Sequence, residues 1–266
     1  MKLFGRRPER YILALKDLPL FVKATWKALK VFEHPLAVIW LYVTRRLPRE
    51  SVVHLRDGKI IHLSSDAADI VTVFLIFARE DYGGIVPDSC VVDIGANIGV
   101  YALYAAFSGA RCVYAYEPSP ASYEVLLKNI SVNGMESIIQ ARHVAVVGQA
   151  RAPVKFPRHS DVMNAILPDS SDSEDYDLVE AIPFSDIVSS LESIDLVKSD
   201  CEGAEYDIFL NCDEEDIRKI VEIRMEYHRG PRDELIGRLT GLGYAIRQFM
   251  DEGQGGGYLW LRRSST

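Results

Sequence analysis

The chain has 266 residues, 48% of them hydrophobic and 26% charged, with a formal net charge of −8. That length holds one α/β catalytic domain and an appendage, and the composition is that of a globular chain whose core stands without disulfides or a structural metal. The charge is divided unevenly, +7 over residues 1–50 and −15 over the rest, and with no basic patch on the larger part the pattern excludes a nucleic-acid-binding protein.

Residues 1–50 form a basic amphipathic helical extension. Tyr11, Leu15, Leu18, Val22, Trp26 and Leu29 recur at three- or four-residue steps, with Lys16, Lys23, Lys27 and Lys30 among them, and Pro19 marks a break or restart. A second apolar segment, Pro35 to Val43, is about ten residues long, short of the ~20 a bilayer span needs. The apolar stretch comes too late for a signal peptide, and no small-residue cleavage site follows it. The extension therefore reads in two ways. It lies peripherally on an anionic membrane surface, with its basic residues toward the headgroups, or it is a helical cap packed on the core or one face of a homodimer. The four cysteines, Cys90, Cys112, Cys201 and Cys212, make no C-x-x-C and no metal spacing with the six histidines. They read as reduced thiols of a cytoplasmic protein, free or peripheral at the cytoplasmic membrane face.

Residues 51–84 lead into the core. Val-Val-His-Leu and Lys-Ile-Ile-His-Leu flank Asp57-Gly58, a β-hairpin whose glycine supplies the positive φ of the turn. His54 and His62 fall on its ladder. Asp66 to Ala78 follows as a helix, with Ser64 or Ser65 as N-cap.

The core, residues 85–266, is organised around Val91-Val92-Asp93-Ile94-Gly95-Ala96-Asn97-Ile98-Gly99-Val100. A β-branched run ends in an acid and two spaced glycines, and an apolar helical pattern (Val100, Leu103, Tyr104, Phe107) continues from it. A second strand, Val113 to Tyr116, ends on Glu117-Pro118, with Glu117 twenty-two residues after Gly95. Strand, glycine turn, helix and a second strand ending in an acid make half of a doubly wound nucleotide fold, in which the acid accepts hydrogen bonds from ribose hydroxyls. Pro118 to Asn133 is the second helix, with Tyr123, Leu126, Leu127 and Ile130 inward and Asn133-Gly134 closing it. Ile138 to Val147 reads as the third strand.

An acidic insertion spans residues 149–182. A short hairpin over Ala152 to Phe156 precedes Pro168 to Asp177, whose unrelieved negative charge reads as mobile, either a lid over the site or a solvated insertion. A short helix (Ile187, Val188, Leu191) precedes the fourth strand, Ile194 to Lys198, which carries Asp200, Glu202 and Glu205 at its end. The fifth strand, Arg218 to Tyr227, delivers His228 to the same edge. Pro231 to Leu242 is a helix, and Tyr244 to Met250 and Tyr258 to Arg262 flank the glycine-rich loop Asp251 to Gly257.

The chemistry follows from the carboxyl ends of these strands, where parallel sheets bind ligands. The turn Asp93-x-Gly95-x-x-x-Gly99 has Asn97 where a dinucleotide fingerprint has its middle glycine, and an acid just ahead of it repels a pyrophosphate. S-adenosyl-L-methionine suits it better, with a ribose for Glu117 and cationic groups for an acidic rim. NAD, a nucleotide sugar, or a turn with no ligand at all are the alternatives. Asp93, Gly95, Ala96, Asn97, Gly99, Glu117 and Pro118 are the candidate cofactor-binding residues. Asp200, Glu202 and His228 are the candidate catalytic residues, with His228 the general base by its ordinary pKa. Paired acids before a helix also serve as N-terminal caps, the alternative for Glu202 and Glu205. The sequence shows no complete metal-ligand set, although these acids would suit a divalent ion. Cys201 reads as a buried spacer thiol.

Val92 to Gly99, Glu117-Pro118-Ser119-Pro120, Asn129 to Asn133 (Asn-Ile-Ser-Val-Asn) and Lys198-Ser199-Asp200-Cys201-Glu202-Gly203-Ala204-Glu205 resemble the motifs of the FkbM family of class I methyltransferases, in the same order, over roughly residues 52 to 228. The resemblance implies a Rossmann-like seven-stranded, mostly parallel sheet with an antiparallel last strand. It also implies O-methyl transfer from adenosylmethionine to a hydroxyl, or a carboxyl, of a glycan or small-molecule acceptor. It would place Tyr82 and the His143 to Ala145 backbone near the cofactor. An oxidoreductase or epimerase on a similar fold, and a non-catalytic adenosylmethionine-binding module, are the rival readings.

Overall fold

The computed structural model describes residues 18–149, 152–157, 166, 175–253 and 255–264. The chain divides into two compact units, residues 1–83 and 84–266. Tyr11, Leu15 and Lys16 lie outside the described residues.

In the first unit, helices α1 (Leu18–Val31) and α2 (Pro35–Thr44) precede a hairpin of β1 (Val52–His54) and β2 (Ile60–His62). Each helix buries one side, through Ala24, Ala28 and Phe32, then Val38 and Leu41. The hairpin turns at Gly58, φ 84°, and pairs Val52 with His62 and His54 with Ile60. Extension and hairpin belong together. Phe32 bridges to Leu55, and Arg56 Nε donates to the Leu29 carbonyl at 3.0 Å. The next helix, α3 (Ala68–Phe74), passes into a π-helical turn, Leu75–Arg79, and Tyr42 stacks on Phe74 with ring centroids 4.1 Å apart. The cap differs from the expected serine. Ala68 N–H donates to Asp66 Oδ1 at 2.8 Å, while Ser64 Oγ accepts from Asp66 N–H at 3.0 Å; the serine holds the capping acid. Tyr82 is buried.

The second unit is a seven-stranded sheet. Its strands are β3 (Cys90–Ile94), β4 (Cys112–Tyr116), β5 (Ile139–Arg142), β10 (Ile194–Ser199), β11 (Ile220–Tyr227), β12 (Tyr244–Gly253) and β13 (Gly256–Arg263), in the spatial order β12-β13-β11-β10-β3-β4-β5. The five from β5 to β11 pair in parallel, and β13 runs antiparallel to β11 and β12. This is the Rossmann-like arrangement of class I methyltransferases. The chain leaves β3 toward β4 in one direction and returns to β10 on the other side. That reversal opens the crevice of a doubly wound sheet at the carboxyl ends of β3 and β10. Helix α4 (Val100–Phe107) follows β3, and α5 (Pro120–Val132) follows β4, capped by Ser119 Oγ accepting from Ser122 N–H at 3.3 Å. β3 is buried throughout, as a central parallel strand between covered faces must be.

Several expectations need correction. The single third strand is two: after β5 the chain breaks, and β6 (Ala145–Val147) pairs instead with β9 (Ala181–Pro183). The apolar pattern runs on through a change of partner that periodicity does not register. The hairpin expected within Ala152 to Phe156 takes its second arm from beyond the acidic run: β7 (Val154–Pro157) pairs with β8 (Tyr176–Val179). Most of that acidic run, and with it the expected mobility, lies outside the described residues. On α5, Leu127 is exposed and Asn129 is buried in its stead, donating to the Ile98 carbonyl at 2.9 Å. Ahead of β11 a short helix, α8 (Glu214–Ile217), comes after α7 (Ala204–Asn211) and ends at Arg218. The short helix around Ile187 is α6 (Phe184–Ser189), and the one after β11 is α9 (Arg232–Gly241). The last glycine run is mostly strand, since β12 and β13 close as a hairpin at Gly253 and Gly256.

Candidate active site

The turn after β3 is stitched to the end of β4 by backbone donors. Gly95 and Ala96 N–H both donate to the Tyr116 carbonyl at 3.0 Å. Asn97 N–H donates to Glu117 Oε2 and Ser119 N–H to Glu117 Oε1, each at 2.7 Å. Gly95 (φ 71°) and Asn97 (φ 49°) are left-handed, a conformation that glycine and asparagine adopt most readily. A Cβ on Gly95 would lie 1.9 Å from the Asp200 backbone oxygen. Nothing larger than glycine lets the turn press against the exit of β10. The Pro118 carbonyl accepts from His143 Nε2 at 2.9 Å, and His143 stacks on Tyr123.

Glu117 is buried and its carboxyl is pushed up to about 7. Burial is the largest cause, opposed by the N–H donors of Ser119 and Asn97 and by the charge of Lys198. Each of its oxygens accepts one backbone N–H and keeps a second lone pair. Two adjacent acceptor positions remain, the number a ribose diol needs, so this turn fits the ribose of a nucleoside cofactor such as adenosylmethionine.

Asp93 is fully buried and stands opposite Lys198 in the β3–β10 register, its Oδ1 3.1 Å from Lys198 Nζ. It is thus placed as the partner of a lysine rather than as a bare acid at the rim. Burial raises the Asp93 carboxyl, with Lys198 working against it. Burial equally opposes the charge on Lys198, but Asp93 and Asp200 outweigh it and hold the ammonium's pKa above its ordinary value. Lys198 Nζ also donates to the Gly95 carbonyl at 2.8 Å and lies 3.9 Å from Asp200 Oδ2. One buried lysine therefore ties the glycine turn to the acid at the end of β10.

The acids beyond β10 close on His228. Glu202 (φ 52°) and Gly203 (φ 106°) turn left-handed ahead of α7. Glu205, in the first turn of α7 and fully buried, accepts from Cys201 and Gly203 N–H at 2.8 Å each, the capping role open to it from sequence. Its Oε1 also lies 3.3 Å from His228 Nδ1, and His228 Nε2 is 3.1 Å from Glu202 Oε2. Tyr206 Oη donates to the His228 carbonyl at 2.5 Å and holds the loop after β11. Burial alone would lower the His228 pKa. The hydrogen bond to Glu205 and the charges of Glu205, Glu202 and Asp200 overcome it and push it up to about 9. The surrounding acids thus favour the protonated imidazole at neutral pH, which counts against the base role expected of it on its ordinary pKa. Cys201 stands 3.3 Å from Ser199 Oγ, and burial raises its thiol far from the nucleophilic range.

The structure thus brings Asp200, Glu202 and His228 together, with one ligand atom from each within 4.8 Å of the others. These are the three residues that the sequence assigned to the acceptor side of one sheet edge. What spacing did not reveal is that they could also share one ion, because His228 reaches the acids from another strand.

The Methyltransferase FkbM domain matches residues 93–258, from the acid of the glycine turn into β13. The chain belongs to the FkbM methyltransferase family. Methyltransferase sdnD of Sordaria araneosa is 27% identical over 69% of this chain and 88% of its own length. The 31-O-demethyl-FK506 methyltransferase FkbM of Streptomyces tacrolimicus is 23% identical over 60% and 74%. A solved ribosomal protein L11 methylase of Lactobacillus delbrueckii subsp. bulgaricus shares 17% identity over 67% of this chain and 72% of its own, with a TM-score of 0.41. Membership of the FkbM family sets aside the oxidoreductase and epimerase readings and implies adenosylmethionine as methyl donor. Sequence reasoning passed over two residues of the site, Lys198 and the full part of Glu205. Both lie in the FkbM-like run Lys198 to Glu205, which was the available signal.

Proposed function

We propose that the chain methylates a hydroxyl oxygen of a small-molecule or glycan acceptor, using S-adenosyl-L-methionine. The observation that carries this reading is the convergence of Asp200, Glu202 and His228 beside the glycine turn, on the edge where the sheet reverses its winding. A relative named for methylation of 31-O-demethyl-FK506 supports an oxygen acceptor. The cofactor, when bound, supplies a methyl group on a positively charged sulfur. Glu117 takes the ribose hydroxyls, with Gly95, Ala96, Asn97, Gly99 and Pro118 shaping the cradle. Asp93 acts through Lys198, which fixes the Gly95 carbonyl. On the acceptor side Asp200, partly exposed at the end of β10, would take the hydroxyl proton as the methyl passes from sulfur to that oxygen, the sulfur leaving as a neutral thioether. Aligning the oxygen is the larger share of the work. The His228 imidazolium donates to Glu202 and Glu205 and keeps the acids in place.

A second reading gives Asp200, Glu202 and His228 a divalent cation that orients two neighbouring acceptor oxygens, because their ligand atoms are close enough to share one ion. The deciding experiment is transfer of radiolabelled methyl to cell extract separated into glycan, lipid, protein and small-molecule fractions. Base-stable label in the glycan or small-molecule fraction, absent with Asp200→Asn, supports the proposal. Label confined to protein, or none, contradicts it. Full turnover after EDTA treatment removes the metal version.

A further inference from the structure

We propose that α1 and α2 form a docking surface for an anionic lipid bilayer. Both helices bury one side, yet each leaves a second apolar stripe uncovered. On α1 this is Val22, Trp26 (63% exposed) and Leu29; on α2 it is Leu36 (75% exposed), Trp40 and Val43. Both stripes have the same i, i+4, i+7 spacing, so each is a continuous helix face. Exposed apolar surface of this extent on a globular chain marks an interaction site.

What covers it follows from the cations. Lys23, Lys30, Arg45, Arg46 and Arg49 are all exposed in the same unit, whereas Lys27 is already ion-paired with Glu80. Lys30 Nζ stands 5.3 Å from the Trp26 ring and the Arg46 guanidinium 5.6 Å from the Trp40 ring. Each exposed tryptophan therefore carries a long cationic side chain beside it. At a bilayer surface tryptophan settles at headgroup level, while lysine and arginine extend their heads to lipid phosphates. A second copy meeting this face with its own would instead set these lysines and arginines against their own kind. The net charge of +7 on residues 1–50, against −15 on the rest, makes this segment the part that an anionic surface attracts. No helix among the described residues is long and apolar enough to cross a membrane, so the contact is one of lying on the surface.

The test is flotation of the full chain with vesicles of phosphatidylcholine, with and without phosphatidylglycerol. Binding is expected only to the phosphatidylglycerol vesicles, falling as salt is raised. The double substitution Trp26→Ala, Trp40→Ala should weaken it by about tenfold or more, and Lys23→Gln and Lys30→Gln by about fivefold each. Leu127→Ala, which removes an exposed leucine elsewhere, should change nothing. Equal binding to both vesicle types, no binding at low salt, or unchanged binding of the tryptophan variant overturns the proposal. So does a wild-type dimer in sedimentation that the tryptophan variant dissociates, which would assign the face to a second copy.

Discussion

Two halves of one sheet edge are built in opposite ways. Beyond β3 and β4, a single carboxylate, Glu117, is wrapped by backbone donors from Asn97 and Ser119. Beyond β10 and β11, the carboxylates of Glu202 and Glu205 sit within 3.3 Å of one imidazole. The first is a fixed acceptor pair for a neutral diol, and the second an excess of negative charge beside a cation. Backbone amides cannot titrate, so the donors from Asn97 and Ser119 stay in place as Glu117 changes state. Side chains make the second half, so its shape depends on which of them carry protons. The halves meet at Gly95, against the Asp200 backbone, and through Lys198.

The sharpest break of that comparison is Asp200→Asn. Turnover should fall by about a thousandfold, the usual scale of a lost general base, while calorimetric affinity for adenosylmethionine stays within about twofold. Lys198→Met tests the joint. It leaves Asp93 buried without its cation and should cost about 3–5 kcal/mol in chemical denaturation, with Asp93→Asn in the same background restoring part of it. Glu117→Ala should lower adenosylmethionine affinity by about a hundredfold, the scale of two charge-assisted hydrogen bonds.

A pH series then sharpens the account of Glu117. Its folded pKa of about 7 lies above the ordinary 4.5, so the ligand-free protein takes up a proton there that the unfolded chain does not. The stability this contributes is complete below about pH 4.5 and is lost as pH rises through 7. Cofactor affinity moves the other way, because the ionised form is the better acceptor. It should fall as pH drops below 7, by up to about tenfold per unit, and Glu117→Gln should flatten both profiles. The smallest effect expected is that of Ser119→Ala. It removes the α5 cap at about 1 kcal/mol but keeps the N–H that Glu117 uses, so melting should shift while affinity does not.

The central strands, the glycine turn and the acids at the strand ends were legible because each is local: a β-branched run, a glycine, a carboxylate. What stayed hidden depends on which strand lies beside which. Lys198 reads as the last residue of an apolar run, and only the register that sets it against Asp93 makes it a buried joint. Glu205 reads as a helix cap, and it is one, but β11 alone brings His228 to it. The acids that raise the His228 pKa lie beyond another strand, so its own sequence neighbours do not show their influence. The change of partner between β5 and β6, and the exposure of Leu127, likewise leave no trace in an apolar pattern.

The most direct measurement is calorimetric titration of adenosylmethionine into the wild type, Glu117→Ala and Asp200→Asn, with methyl transfer assayed on the same samples. The account predicts that Glu117→Ala loses binding, while Asp200→Asn binds as the wild type does and transfers nothing. Unchanged affinity in Glu117→Ala, or undiminished transfer by Asp200→Asn, would contradict the division of labour along this edge.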